Sequence, residues 1–213
     1  MGRSLETQNN EVIIIEQKGV PGNAPSGASV CFIFSNLSFL FWANLMGYLG
    51  DGAGFAIGII QLGVFVTYHV AASLLFTRGE AFDGNIFMVF ATFFGGVGGA
   101  TNIASAICAA KGIPFDNSVV GICWIMCGIF LLGILPGCKK SPWTVFVLYL
   151  LAGIGLFIMG LITLGIVGMS MVPITAWLLF AVGALGLYLT LSTMNSFMNI
   201  NIPLGKPLFK IIQ

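Results

Sequence analysis

Apolar residues fall along this chain in six long blocks, and polar or turn-forming residues gather in the gaps between them. The blocks run over 28–49, 54–76, 86–110, 119–135, 143–167 and 172–192. Each is close to the ~20 residues that an α-helix needs to cross the hydrocarbon of a bilayer. The gaps carry helix-ending residues: Gly50-Asp51-Gly52, Arg78-Gly79, Gly112-Ile113-Pro114, Pro136-Gly137 with Ser141-Pro142, and Gly168 ahead of Pro173. Pro173 falls in the first turn of the last block, where its missing N–H costs no hydrogen bond. The pattern predicts an all-α membrane protein, a six-transmembrane-helix bundle over 28–192. Residues 1–27 then form an N-terminal segment and 193–213 a C-terminal tail.

Composition sharpens this reading. Charged residues make up only 7% of the chain and hydrophobic ones 58%, against about 25% charged in an ordinary soluble domain. Such a sequence cannot cover itself with a water-soluble surface. The few cations give the orientation, because cytoplasmic loops collect Lys and Arg. Arg3, Lys18, Arg78, Lys139, Lys140, Lys206 and Lys210 fall on one side and only Lys111 on the other. Both termini are therefore expected in the cytoplasm, with the protein multi-pass in the plasma membrane. The opening MGRSLETQNNE is polar and Val12–Ile15 is too short for the core of a secretory signal. A net charge of +1 offers nothing to nucleic acid.

The stretch 78–100 organises the rest. A charged turn (Arg78, Glu80, Asp83) leads into Phe87, Phe90, Phe93 and Phe94, and then into Gly95, Gly96, Gly98 and Gly99. Phe87, Phe90 and Phe94 lie near one stripe of a helix. The glycines leave backbone bare, either for a neighbouring helix or for a wider lumen. The predicted spans contain no Asp, Glu, Lys or Arg, and their amides and hydroxyls are concentrated in the first three. Asn36, Asn44 and Thr92 are the candidate donors to a solute, since polar groups in hydrocarbon are expected to face the bundle interior. His69 is either a proton acceptor or an interhelical hydrogen-bonding group. Cys123 and Cys127 are spaced i,i+4, but no set of residues completes a metal site around them. Neither a cofactor nor a metal is expected. No nucleophile–base or carboxylate pair suggests an enzyme.

Gly79-Glu80-Ala81-Phe82 with Phe87, Phe90 and Phe93-Phe94 resembles the third-span signature of the acetate uptake transporter family, the succinate/acetate permeases. Asn44, Gly47-Tyr48 and Asp51-Gly52 are similar to the end of that family's first span. Cys127-Gly128-Ile129-Phe130 with Gly137 and Lys140 is similar to its fourth, and Tyr188 with Ile202-Pro203-Leu204-Gly205 to its closing pattern. The resemblance covers about 23–207. It departs at Ser26, where the family has leucine, at Glu80, where it has asparagine, and at Leu75 or Phe76, where it has glutamate; these changes bear on the substrate more than on the fold.

The resemblance implies six-span protomers, each with its own pore, assembled as a hexamer. It implies a constriction of three side chains, at Phe90, at Phe32 (or Cys31) and at Leu151 (or Ala152). It also brings forward Asn23–Gly27, where N–H groups at the start of the first helix could meet a carboxylate and Gly27 would touch substrate; Ser26 could equally be only a cap. Gly153, Gly155 and Gly160, with Gly183 and Gly186, are expected on faces that join protomers. The function implied is a transporter or channel for small monocarboxylates, acetate first and succinate second, carried as the anion or with a proton. A pore for another small solute and a non-transporting membrane assembly protein stand as alternatives.

Overall fold

The structure, a computed structural model, describes residues 27–207. Its helices are α1 (Gly27–Leu45), α2 (Ala53–Thr77), α3 (Ala81–Val89), a π-helical segment (Phe90–Val97), α4 (Gly98–Ala110), α5 (Ser118–Ile134), α6 (Trp143–Thr163) and α7 (Val172–Ser196). α3, the π segment and α4 run on as one span of 30 residues, and among the described residues six elements are long and apolar enough to cross a membrane. The chain is thus an integral, multi-pass, all-α membrane protein. Pro173 sits in the first turn of α7, as its sequence position predicts.

The boundaries differ from the apolar blocks where local chemistry decides. α1 stops at Leu45 because the chain reverses at Gly47, whose φ of +72° suits glycine. The Tyr48 N–H then closes the helix end on the Ala43 carbonyl at 2.9 Å. The third span begins at Ala81, five residues early. Asp83 lies in its first turn, where a carboxylate faces the positive end of the helix. Just before α5, Asp116 accepts hydrogen bonds from the Ser118 hydroxyl and from the Ser118 N–H (2.9 Å). These bonds hold its carboxyl below the usual carboxylate range.

The six spans form a closed ring. α1 packs on α7, α7 on α6, α6 on α5, α5 on the π segment, and the third span on α2, which returns to α1. The faces turned inward follow helical spacing; in α1 they are Val30, Phe34, Leu37 and Phe41. Glycines set the close crossings. A Cβ on Gly128 of α5 would lie 2.7 Å from the Phe157 backbone N and 2.8 Å from the Gly153 carbonyl. A Cβ on Gly160 would meet the Gly121 carbonyl at 2.5 Å. Gly153, Gly155, Gly160, Gly183 and Gly186 are all buried within the protomer. They join α5 to α6 and α7 to its neighbours, not one copy to another, because backbone and side chains of other helices of the same ring, such as Phe39 against Gly183 and Leu179 against Gly155, already cover them.

Beyond α7 the chain folds back as a strap over one end of the ring. Tyr188 Oη donates to the Pro203 carbonyl at 2.6 Å and Ser192 Oγ to that of Ile202 at 2.8 Å. Thr144 Oγ1 donates to the Leu204 carbonyl at 2.9 Å. The Trp143 N–H reaches the Lys206 carbonyl at 3.2 Å. Part of the sequence expected as a tail is therefore fixed to the ends of α6 and α7. Residues 1–26, with Asn23 and Ser26, lie outside the described residues.

Candidate functional site

A cavity of about 230 Å³ opens inside the ring, in the half that holds the start of α1, the end of α7 and the strap. Gly27, Pro142, Val145, Thr193 and Leu204 lie around its mouth. Val30, Cys31, Tyr68, Ile86, Phe87, Leu148, Tyr149 and Ala152 are among its walls, and Phe34 and Phe90 line it as well. None of the described lining residues carries a formal charge. Its polar groups are the hydroxyls of Tyr68, Tyr149 and Thr193 and the thiol of Cys31. Thr193 Oγ1 is occupied, donating to the Leu189 carbonyl at 2.9 Å. Tyr68 and Tyr149 hydrogen-bond to no described residue, and both lie within electrostatic reach of each other and of Cys31. Asp83, in the first turn of the third span, is within electrostatic reach of Tyr149.

Above the cavity the ring is filled by aromatic side chains. Phe34 meets Phe90 edge-on with centroids 6.1 Å apart and Phe94 at 5.6 Å. Phe90 and Phe94 lie 5.8 Å apart. Phe94 continues to Phe41 at 6.0 Å and to Trp124 at 5.6 Å. Phe90 is 3% exposed and Phe94 2%. The separations and tilts suit aromatic pairs, so the plug is a packed core and not a loose gate. Tyr68 joins it from below, with its ring 6.4 Å from that of Phe90.

The residues singled out in the sequence divide between inside and outside. Phe90 lies at the junction of cavity and plug, and Gly27 at the cavity mouth. At the other two positions expected in a constriction, it is the neighbouring alternative that lies inside the ring. Phe32 is 56% exposed on the outer surface and Cys31 faces the cavity in its place; Ala152 lines the cavity and Leu151 does not. A step of one residue turns a helix by about 100°, enough to carry a side chain from lumen to perimeter. Asn36, Asn44 and Thr92 are exposed. The Thr92 hydroxyl is turned back to the Met88 carbonyl at 3.0 Å. Asn36 lies with Phe32, Ser29, Thr67 and Thr190 in an outer groove between α1, α2 and α7. The expectation that these amides and hydroxyls face inward is corrected. The inward stripe of α1 is taken by Phe34, Leu37 and Phe41, with Ser35 and Ser38 bonded to backbone carbonyls. His69 is also exposed, beside Phe65.

Gly95, Gly98 and Gly99 pack on α2 and do not line the cavity. A Cβ on Gly95 would stand 2.5 Å from the Phe65 backbone N, and one on Gly99 would stand 2.8 Å from the Gly58 carbonyl. Tyr149 is a cavity residue that sequence reasoning missed. It is a lone phenol in an aliphatic span, and that contrast was its signal. The five cysteines are free thiols.

No protein-family model matches the chain, and no curated protein does. Among solved structures, that of the bacterial acetate channel SatP superimposes with a TM-score of 0.68 at 18% identity, covering 85% of this chain and 99% of that one. The two chains share a fold.

Proposed function

We propose that this protein is a transmembrane channel or transporter for small monocarboxylic acids, with acetate as the reference substrate. One observation carries the proposal: a cavity whose described lining bears no formal charge and holds two phenol hydroxyls that bond to no described residue, inside a ring whose fold is shared with an acetate channel. The family resemblance in the sequence points the same way. A carboxylate placed among these walls would lose its hydration without a cation in the described lining to replace it, a cost of several kcal/mol. A protonated acid needs only one donor and one acceptor, and Tyr68 and Tyr149 supply both kinds of group. The acid therefore travels undissociated through this part of the path. A dicarboxylate such as succinate fits less well, because the described walls offer nothing to a second carboxyl group. Phe90 is the residue at which the path narrows, and Cys31 and Ala152 complete the lining that the resemblance sought at Phe32 and Leu151.

The cavity mouth faces the cytoplasm in this reading, following the excess of Lys and Arg on that side, and the membrane is the plasma membrane. Copies of the chain associate through outer surfaces that carry amides, such as the groove around Asn36, with a hexamer as the expected size. Purified protein in liposomes, given a panel of labelled acids with and without a pH gradient, tests the proposal. Uptake of acetate that rises with the undissociated fraction supports it. Equal permeability of protein-containing and empty liposomes to every acid overturns it.

A further inference from the structure

The third span contains a gap in hydrogen bonding that its own backbone does not fill. Across Phe90–Val97 the helix widens to π spacing, and the Gly98 N–H is shared between the Phe93 carbonyl, five residues back, and the Gly95 carbonyl, neither of them that of Phe94. Beyond Gly98 the helix is α, in which an N–H reaches back four residues. A change from five to four passes over one carbonyl, and here that carbonyl belongs to Phe94. Inside a membrane span such an acceptor has to be met by another group. Gln61 of α2 meets it: Nε2 donates to the Phe94 carbonyl at 2.8 Å. Gln61 is fully buried, and Asn102 Nδ2 donates to its Oε1 at 2.6 Å. Gln61 thus supplies the donor that the π turn leaves out, and Asn102 fixes which way the Gln61 amide points. The fit is close, since a side chain on Gly98 would overlap Gln61 Nε2.

The turn held in this way carries the plug. Phe90 opens the π segment, and Phe94 presents its ring to Phe34, Phe41 and Trp124 while its carbonyl takes the Gln61 bond. If the same stretch became α-helical, its two flanks would turn relative to each other by one residue, about 100°. Phe90 and Phe94 could not then both keep their places in the plug.

We infer that Gln61, oriented by Asn102, is a positioning residue for transport, a role that rests on the transport reading above. It stabilises the π register in which Phe90 and Phe94 close the path, and so limits both the rate and the size of what passes. Gln61→Leu keeps much of the bulk and removes the donor. In liposomes it is expected to raise the flux of labelled butyrate relative to acetate about tenfold, the factor equivalent to one buried amide hydrogen bond. Asn102→Ala should move the same ratio in the same direction by less. A lower melting temperature alone would fit any buried glutamine, whereas a change in size preference would not. A folded Gln61→Leu protein with the wild-type flux ratio, or a lower one, overturns the inference. If that variant does not fold, an unchanged ratio in Asn102→Ala overturns it. If the wild-type protein passes no labelled acid, the transport reading fails. Hydrogen exchange at the Gly98 and Gly99 amides then decides the structural part: faster exchange in either variant supports the Gln61 latch, and wild-type rates in both refute it.

Discussion

Two pairs of spans in this ring bring glycine against glycine, and they use the contact differently. α5 and α6 cross at Gly121, Gly128, Gly153 and Gly160, with backbone against backbone and both helices regular. α2 and the third span cross at Gly58, Gly95, Gly98 and Gly99, but there the helix widens to π and two amides, the buried Gln61 and the half-buried Asn102, stitch it together. The first arrangement has one low-energy geometry, since any separation of the helices loses van der Waals contact without gaining a partner. The second has a side-chain donor standing in for a backbone one, which allows a helix to hold an alternative register. Bare backbone alone makes a rigid seam; bare backbone with a polar substitute makes an adjustable one. The plug grows from the adjustable seam.

The largest expected effect breaks the rigid seam. Gly128→Leu places carbons against the backbone of Phe157 and Gly153, where no flexible side chain can yield. The cost should be at least about 3 kcal/mol, the upper end of overpacking penalties. The measurement is thermal unfolding in detergent together with the yield of folded protein. Gly133 is the control, because a Cβ there meets nothing within 4 Å. Gly133→Ala should fold normally.

A second substitution tests the plug. Phe90 is buried between Phe34, Phe94 and Tyr68, so Phe90→Ala should cost roughly 3 kcal/mol of stability as a cavity-forming change. The family resemblance implies a ring facing a lumen, whose removal would disturb folding little; the packing raises the cost. In protein that still folds, acetate flux should rise and larger acids should enter. Stability lost with no change in flux or range would make Phe90 a core residue and nothing more.

How much of this was legible in the sequence depends on which physical signal was strong. The six spans, the breaks between them and Pro173 could be read because hydrocarbon admits only long apolar helices. The rotation of each helix could not. Apolar residues surround α1 on all sides, so periodicity gives no stripe that separates Phe32 from Phe34 or Cys31. Asn36 and Thr92 were expected inside because polar groups avoid lipid, yet exposed side chains on one chain can be covered by another. Gln61 was visible as a polar residue in the second span. Its role depended on a π turn over Phe90–Val97, and a change of backbone spacing leaves no mark in a run such as FATFFGGV. The glycines signalled close packing correctly but did not say against which helix.

A third, smaller effect concerns the cavity floor beneath the plug. Tyr149→Phe and Tyr68→Phe each remove one hydroxyl and leave the ring in place. Neither hydroxyl holds another described part of the protein, so stability should stay nearly unchanged. If each makes one neutral hydrogen bond to the bound acid, half-saturation should rise roughly fivefold, about 1 kcal/mol per bond. The pair should be less than additive if both contact the same carboxyl group. Concentration-dependent uptake measures this directly, and unchanged half-saturation in both variants would place the acid elsewhere.

The smallest effect is expected at Asn36, and it bears on which surface of the ring meets lipid. Asn36 lies outside the plug and outside the cavity, with Ser29, Thr67 and Thr190 for neighbours in its groove. If the groove faces lipid, Asn36→Leu exchanges an amide for a side chain that hydrocarbon prefers, and detergent-solubilised protein should be equally or more stable. If a second copy covers the groove, the same change removes an amide that had a partner across the interface. The assembly should then dissociate at lower detergent concentration. Flux per folded chain should be unaffected either way, and the stability of the isolated protomer should shift by no more than about 0.5 kcal/mol, as for an exposed site. Mass in gentle detergent, measured for wild type and variant side by side, separates the cases. A loss of flux with the assembly intact would contradict both, because it would put Asn36 on the solute path from which the inward faces of α1 and α2 exclude it.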